Sequence, residues 1–158
     1  MSFSQRQYFN NRVDEFDIPQ PLLVLGRLRN IVAEAGLQPG EVVLDVGTGV
    51  GVLIPLIQFF RPARIIACDL AEKMLERLKQ KYPQVDIYHT DVSCLSLEDA
   101  SVDVIFLNAM YGNIDDKPTA CRNVARLLRP GGRMVVSHPE GRAFVEKLRQ
   151  ISPLSIES

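Results

Sequence analysis

Five short apolar runs punctuate the chain, at Val42–Val46 (VVLDV), Arg64–Cys68 (RIIAC), Val85–His89 (VDIYH), Val102–Asn108 (VDVIFLN) and Arg133–Ser137 (RMVVS). They are rich in Val and Ile and mostly lack a strict in–out alternation, which predicts strands buried on both faces, as in a parallel sheet. Longer segments of helical period lie between them. In Ala71–Tyr82, Met74, Leu75, Leu78 and Tyr82 share one face, while Glu72, Lys73, Glu76, Lys79 and Gln80 share the other. In Pro118–Leu128, Ala120, Val124, Leu127 and Leu128 make a similar stripe. Pro39-Gly40 and Pro130-Gly131-Gly132 mark turns before the first and fifth runs. The pattern predicts β-α-β-α-β-α-β-α-β, preceded by one or two helices within residues 4–36. Strands alternating with helices imply crossover units and a doubly wound α/β sheet flanked by helices.

Composition narrows the class. The chain has 158 residues, enough for one ordinary domain, and is 46% hydrophobic and 23% charged, which is globular rather than disordered. Eighteen basic against nineteen acidic residues leave a formal charge of −1, with the Lys and Arg dispersed. That gives no electrostatic footprint for nucleic acid or an anionic membrane surface. Cys68, Cys94 and Cys121 are odd in number and lack C-x-x-C spacing, so neither a disulfide framework nor a metal site is expected. No signal-peptide core or membrane-length apolar stretch is present, and the expectation is a soluble protein of a reducing compartment, the cytoplasm.

The richest chemistry lies in Val43-Leu44-Asp45-Val46-Gly47-Thr48-Gly49-Val50-Gly51, where the first strand should give way to a helix. Glycines there let the chain turn sharply and let a ligand approach bare backbone, while a helix N-terminus offers free N–H groups. In open α/β sheets ligands bind beyond the carboxyl ends of the strands at the topological switch point. The spacing is G-x-G-x-G; position 52 is Val, not the Gly or Ala of the dinucleotide-binding pattern. Asp45 lies two positions before the first glycine, where it would suit a cationic group. The second strand runs into Cys68-Asp69-Leu70. An acidic side chain at that tip can accept from both hydroxyls of a ribose, which fits an adenosine-containing ligand; it can equally cap the next helix. Asp91, in Thr90-Asp91-Val92 after the third strand, could accept from an exocyclic adenine amine or solvate a loop.

These segments resemble the class I S-adenosylmethionine-dependent methyltransferases. VLDVGTGVG is similar to the family's first motif, ACDLAEKML to its ribose-binding second strand, and TDV to its adenine-contacting turn. SVDVIFLNAMYGNIDD is similar to the fourth-strand segment, and LLRPGGRMVVSHPEGR to the approach into the fifth. The resemblance implies a Rossmann-like sheet of strand order 3-2-1-4-5 and S-adenosyl-L-methionine as cofactor. It places Gly47, Thr48, Gly49 and Gly51 along the methionyl part, Asp45 near the ammonium, and Asp69 with Leu70 at the ribose. Asp91 and Val92 would define the adenine pocket, and Asn108 with Ala109 would line the sulfonium side. Residues 1–40 would form a helical lid, with Tyr8-Phe9 over the cofactor, 41–141 the cofactor-binding core, and 142–158 a C-terminal helix (Arg142–Ile151) and tail.

The acceptor is not named by any motif. His138, after the fifth strand, is a candidate base or a loop histidine; Tyr111, after the fourth, could stack on a substrate or simply pack; His89 is expected to be structural. The leading expectation is methyl transfer to a small-molecule acceptor. The alternatives are a cofactor-binding protein without turnover, and a nicotinamide-dependent oxidoreductase, which the Val at position 52 disfavours. The family's sheet ends in an antiparallel strand pair, and the 17 residues after Gly141 leave no room for it. The fifth strand is therefore expected to be an exposed edge through which the chain would form a homodimer.

Overall fold

The computed structural model describes residues 3–138 together with residues 141, 143 and 146. Three N-terminal helices, α1 (Phe3–Asn10), α2 (Val13–Phe16) and α3 (Leu22–Glu34), precede the first strand, one more than the sequence pattern suggests. Then come β1 (Val42–Val46), α4 (Ile54–Gln58), β2 (Arg64–Asp69), α5 (Glu72–Lys81), β3 (Asp86–His89), β4 (Val102–Asn108), α6 (Lys117–Leu127) and β5 (Leu128–Ser137). The C-terminal helix expected over Arg142–Ile151 and the tail after it lie outside the described residues, apart from residues 143 and 146.

All described strands pair in parallel, in the order β3-β2-β1-β4-β5. The order reverses between β1 and β4, so the carboxyl ends of these two strands open the switch-point crevice. Alternation within the strands feeds two helical layers. Val43, Ile65, Ala67, Val104 and Phe106 pack with Leu28 and Val32 of α3, Ile54 and Ile57 of α4 and Leu78 of α5. Their neighbours Leu44, Val46, Ile66, Cys68, Ile105 and Leu107 pack with Ala120, Val124 and Leu127 of α6. Each large apolar side chain fully buried this way contributes about 1.5–3 kcal/mol. Central β1, β2 and β4 are buried on both faces as expected, whereas the outer strands β3 and β5 are only half-buried.

Two expectations need correction. Between β3 and β4 there is no α-helix: Val92–Cys94 makes a single 3₁₀ turn, followed by irregular chain. The segment is held from outside, by α6. The Asn123 amide donates to the carbonyls of Val92 (2.6 Å) and Leu95 (2.9 Å), and Arg126 donates to those of Leu95 (3.2 Å) and Leu97 (2.8 Å). The backbone groups a helix would have satisfied internally are thus taken by side chains. Second, β5 starts at Leu128, not Arg133. Leu128 already pairs with Val102, and the ladder resumes at Val104–Arg133 across an irregularity that absorbs Pro130-Gly131-Gly132. A Cβ at Gly132 would stand 2.9 Å from the Arg129 carbonyl oxygen and 3.1 Å from that of Asp103, so only glycine allows this close passage. Among the described residues no strand pairs the outer edge of β5.

Candidate functional site

The chain at the ends of four strands, β1 to β4, builds one crevice. β1 delivers Asp45 and Val46 to its tip, and the chain reverses through Gly47 (φ +67°) and Gly49 (φ +54°), conformations that L side chains resist. The reversal is pinned to β2: the Gly47 N–H donates to the Cys68 carbonyl at 2.8 Å and the Thr48 N–H to the same oxygen at 3.3 Å. Asp45 is 2% exposed, and Thr48 Oγ1 donates to its Oδ2 at 2.7 Å. Burial pushes the Asp45 carboxyl up to about 7; the Thr48 hydroxyl opposes this, and the nearby Asp69 charge adds to it.

At the end of β2, Asp69 is 8% exposed and bridges two elements. Its Oδ2 accepts from the Gly49 N–H at 2.9 Å and its Oδ1 from the Ala71 N–H at 2.8 Å, at the start of α5. Asp69 thus ties the glycine loop to Ala71, the residue that precedes α5; the helix itself takes no side-chain cap bond, so the capping reading is not realised in its usual form. Burial raises its pKa, opposed by these N–H groups and by His89. His89 Nε2 lies 3.1 Å from the Leu70 carbonyl, the bland structural role expected of it.

Asp91 follows β3 and caps the 3₁₀ turn: its Oδ1 accepts from the Ser93 N–H (2.8 Å) and hydroxyl (2.7 Å), leaving Oδ2 without a partner among the described residues. After β4 the chain passes through Ala109 at φ +55°, a strained conformation for alanine, and enters a 3₁₀ turn at Tyr111–Asn113. These pieces line one narrow cleft, walled by Val46, Gly47, Cys68, Asp69, Leu70, Thr90, Asp91, Val92, Met110 and Asn113.

The structure therefore brings Gly47, Asp69, Leu70, Asp91 and Val92 together around one cleft. Asp45 and Thr48 are buried behind it. Gly51 serves packing: a Cβ there would meet Ile54 at 3.0 Å and Leu78 at 3.1 Å. Asn108 is engaged with β5, its Oδ1 accepting from Ser137 Oγ at 2.7 Å, and the Ala109 N–H donates to the Ser137 carbonyl at 2.8 Å. Tyr111 is buried in the core against α6, where burial and the Cys121 thiol beside it raise the pKa of its hydroxyl. His138 is half-buried at the end of β5, its carbonyl accepting from the Gly141 N–H at 2.8 Å, and it does not line the cleft. Met110 and Asn113 also line the cleft; both lie inside the fourth-strand segment SVDVIFLNAMYGNIDD but are not singled out there. Their only advance signal is position, in the loop after β4.

The two N-terminal helices α1 and α2 dock as a strap on α5 and the glycine loop. Phe9 and Val13 pack on Val50 of the glycine loop and on Ala71 and Met74 of α5. Asn10 Oδ1 accepts from the Lys73 N–H at 3.1 Å. Arg77 reaches back to Asp17 (2.6 Å) and Asp14 (2.8 Å), and Lys81 also reaches Asp17 (2.5 Å). Tyr8 instead faces solvent, stacked under Arg12.

Comparison with known proteins defines the class. A methyltransferase domain family matches residues 44–136. A demethylmenaquinone methyltransferase of Renibacterium salmoninarum is 29% identical over 140 residues, covering 83% of this chain and 58% of that protein. A malonyl-[acyl-carrier protein] O-methyltransferase of Xylella fastidiosa is 31% identical over 140 residues, covering 86% and 45%. The fold is that of a SAM-dependent methyltransferase from Aquifex aeolicus, with a TM-score of 0.76 at 19% identity, over 94% of this chain and 90% of that one. The chain belongs to the S-adenosylmethionine-dependent methyltransferase family. It spans about half the length of the curated relatives it matches.

The cleft suits this family's cofactor. A Cβ at Gly49 would meet nothing within 4 Å, so that stretch of backbone is bare toward open space. Two carboxylates, Asp69 and Asp91, face a cleft whose remaining wall is largely apolar. Among the described residues no cluster of side chains could hold a metal ion, and no helix is long and apolar enough to cross a membrane.

Proposed function

We propose that this chain transfers the methyl group of S-adenosylmethionine to a small-molecule acceptor by in-line displacement. The observation that carries the reading is Asp69: one carboxylate, at the carboxyl end of β2, anchors both the glycine loop and the start of α5 while lining the cleft. In this reading its remaining lone pairs accept from two adjacent hydroxyls, and Asp91 Oδ2 accepts from an amine. The bare backbone at Gly49 leaves room for the amino-acid portion, with Asp45 as the buried counter-charge to its ammonium.

S-adenosylmethionine supplies a methyl already activated on a sulfonium, so little covalent chemistry is left to the protein. The residues hold, orient and exclude water. Fixing donor and acceptor in line lowers the barrier by up to about 7–11 kcal/mol relative to free encounter. Neither candidate on the acceptor side serves as a base: His138 does not line the cleft, and Tyr111 is buried in the core. The dispersed charge and the demethylmenaquinone relative both favour a small acceptor over nucleic acid.

The test is incubation with methyl-labelled cofactor and a metabolite extract, followed by detection of labelled products. Transfer of label to a small molecule supports the proposal. Cofactor binding without any transfer would favour the second reading, a binding protein without turnover, which the absence of His or Lys among the cleft-lining residues makes worth separating.

A further inference from the structure

The side chain of Met110 lies folded on Gly47. A Cβ built on that glycine would stand 2.8 Å from Met110 Cβ, 2.9 Å from its Cγ and 3.0 Å from its Cε, so the thioether covers the glycine from root to tip. Both residues line the cleft, and the free volume left between its walls is about 10 Å³, room for about one water molecule. A ligand the size of S-adenosylmethionine needs a site of about 300 Å³ or more. Part of the wall must therefore give way before such a ligand enters. Gly47 is fixed, its N–H bonded to the Cys68 carbonyl at 2.8 Å. Val46, Cys68 and Val92 are buried in the core, and Asp69 and Asp91 are held by backbone N–H groups. Met110 is held only through its backbone. The Ala109 N–H before it donates to the Ser137 carbonyl at 2.8 Å, and its own carbonyl accepts from the Asn113 N–H at 2.8 Å. Its side chain is half-buried, unbranched and free to turn.

We propose that Met110 is the gate of this cleft: folded on Gly47 it closes the site, and turned away from the glycine it admits the ligand. The inference rests on the reading of the cleft as the S-adenosylmethionine site. The closed position is held by apolar contact alone, with Gly47 on one side and the cluster under α6 on the other. A polarisable, unbranched thioether can leave such a contact and repack at small cost. The glycine makes the closed position possible, since any Cβ at residue 47 would collide with the folded side chain. A gate and a wall differ in sign. A side chain that only walls the site adds contacts to the bound ligand, so truncating it weakens binding. A side chain that must leave first makes the apparent Kd the intrinsic value divided by the fraction of molecules standing open. Truncating a gate therefore tightens binding.

Two measurements on the whole chain test this, calorimetric titration with S-adenosylhomocysteine and NMR of protein carrying isotope-labelled methionine methyls. Met110→Ala should lower the Kd for S-adenosylhomocysteine by at least about threefold, as for a gate open in at most about a third of molecules. In the wild-type chain without ligand, the Met110 methyl should show a nuclear Overhauser contact with the Gly47 α-protons, and that contact should vanish at saturation with S-adenosylhomocysteine. The second measurement needs no variant and decides the matter if Met110→Ala does not fold. An unchanged or raised Kd in folded Met110→Ala overturns the inference and leaves the cofactor reading intact. So does a methyl contact that is missing without ligand or that persists at saturation. Failure of the wild-type chain to bind S-adenosylhomocysteine overturns both.

Discussion

The backbone N–H of Gly49 donates to Oδ2 of Asp69 across 2.9 Å, joining a loop and a strand tip that are 20 residues apart in the chain. Through this bond the second strand sets the shape of the glycine loop. Asp69→Ala should therefore weaken cofactor binding twice over, by removing the acceptor for the ribose hydroxyls and by releasing the loop. Loss of about 1.5–3 kcal/mol per charged hydrogen bond corresponds to a roughly 10–150-fold higher Kd, less whatever water restores. Titration calorimetry measures it; an unchanged Kd would leave Asp69 as a structural tie between the glycine loop and the start of α5 alone.

Gly47 and Met110 form a second such pair. A Cβ at Gly47 would stand 2.8 Å from Met110 Cβ and 2.9 Å from its Cγ, at a φ of +67°. Gly47→Ala should cost about 1–3 kcal/mol from backbone strain alone, with a further loss from the collision, and lower the melting temperature by several degrees. Adding Met110→Ala should restore the collision part but not the strain. A double variant no better than the single one would show that the contact does not limit the site.

Asp45 gives stability a definite pH dependence. Its carboxyl has an ordinary value of 3.8 and is pushed up to about 7 by burial. Below about 4 it is protonated in both folded and unfolded chains, and above about 7 ionised in both. Between these limits the folded chain keeps a proton that the unfolded chain releases, so this group's contribution to stability falls as pH rises, by at most about 1.4 kcal/mol per pH unit. The raised value of Asp69 acts in the same direction. Urea midpoints at pH 5 and pH 8 should differ less in Asp45→Asn than in the wild type, and the variant should be the more stable at pH 8. Because the ionised form suits an ammonium, cofactor binding should also tighten from pH 6 to pH 8 in the wild type only.

The strap formed by α1 and α2 rests on a small apolar contact and on Arg77 and Lys81, which hold Asp14 and Asp17. Exposed ion pairs are screened by salt. Amide hydrogen exchange of residues 5–17 should accelerate in Arg77→Ala and, in the wild type, on going from low to high salt, with faster cofactor release. Equal exchange under all these conditions would mean that Phe9 and Val13 hold the strap alone.

Much of this architecture is legible in local sequence because it is local in origin. Val42–Val46 and Val102–Asn108 form strands with the bounds their apolar runs suggest, since these central strands are buried on both faces. Asp69 and Asp91 stand out because each ends such a run with a carboxylate. The third crossover is not legible, because Val92–Leu97 is held by Asn123 and Arg126 some 30 positions later in the chain. The early start of β5 likewise depends on a passage of Gly132 beside Asp103 that no local pattern encodes. Met110 and Asn113 lie inside the fourth-strand segment, but nothing in its local pattern singles them out; the turn that follows Ala109 brings them to the cleft.

The most direct measurement is a calorimetric titration of the chain with S-adenosylmethionine and, separately, with NADH. The cleft around Asp69, Asp91 and the G-x-G-x-G loop predicts saturable binding of S-adenosylmethionine, lost in Asp69→Ala, and no binding of NADH. Saturable binding of NADH, with neither S-adenosylmethionine nor its demethylated product bound at millimolar concentration, would contradict it.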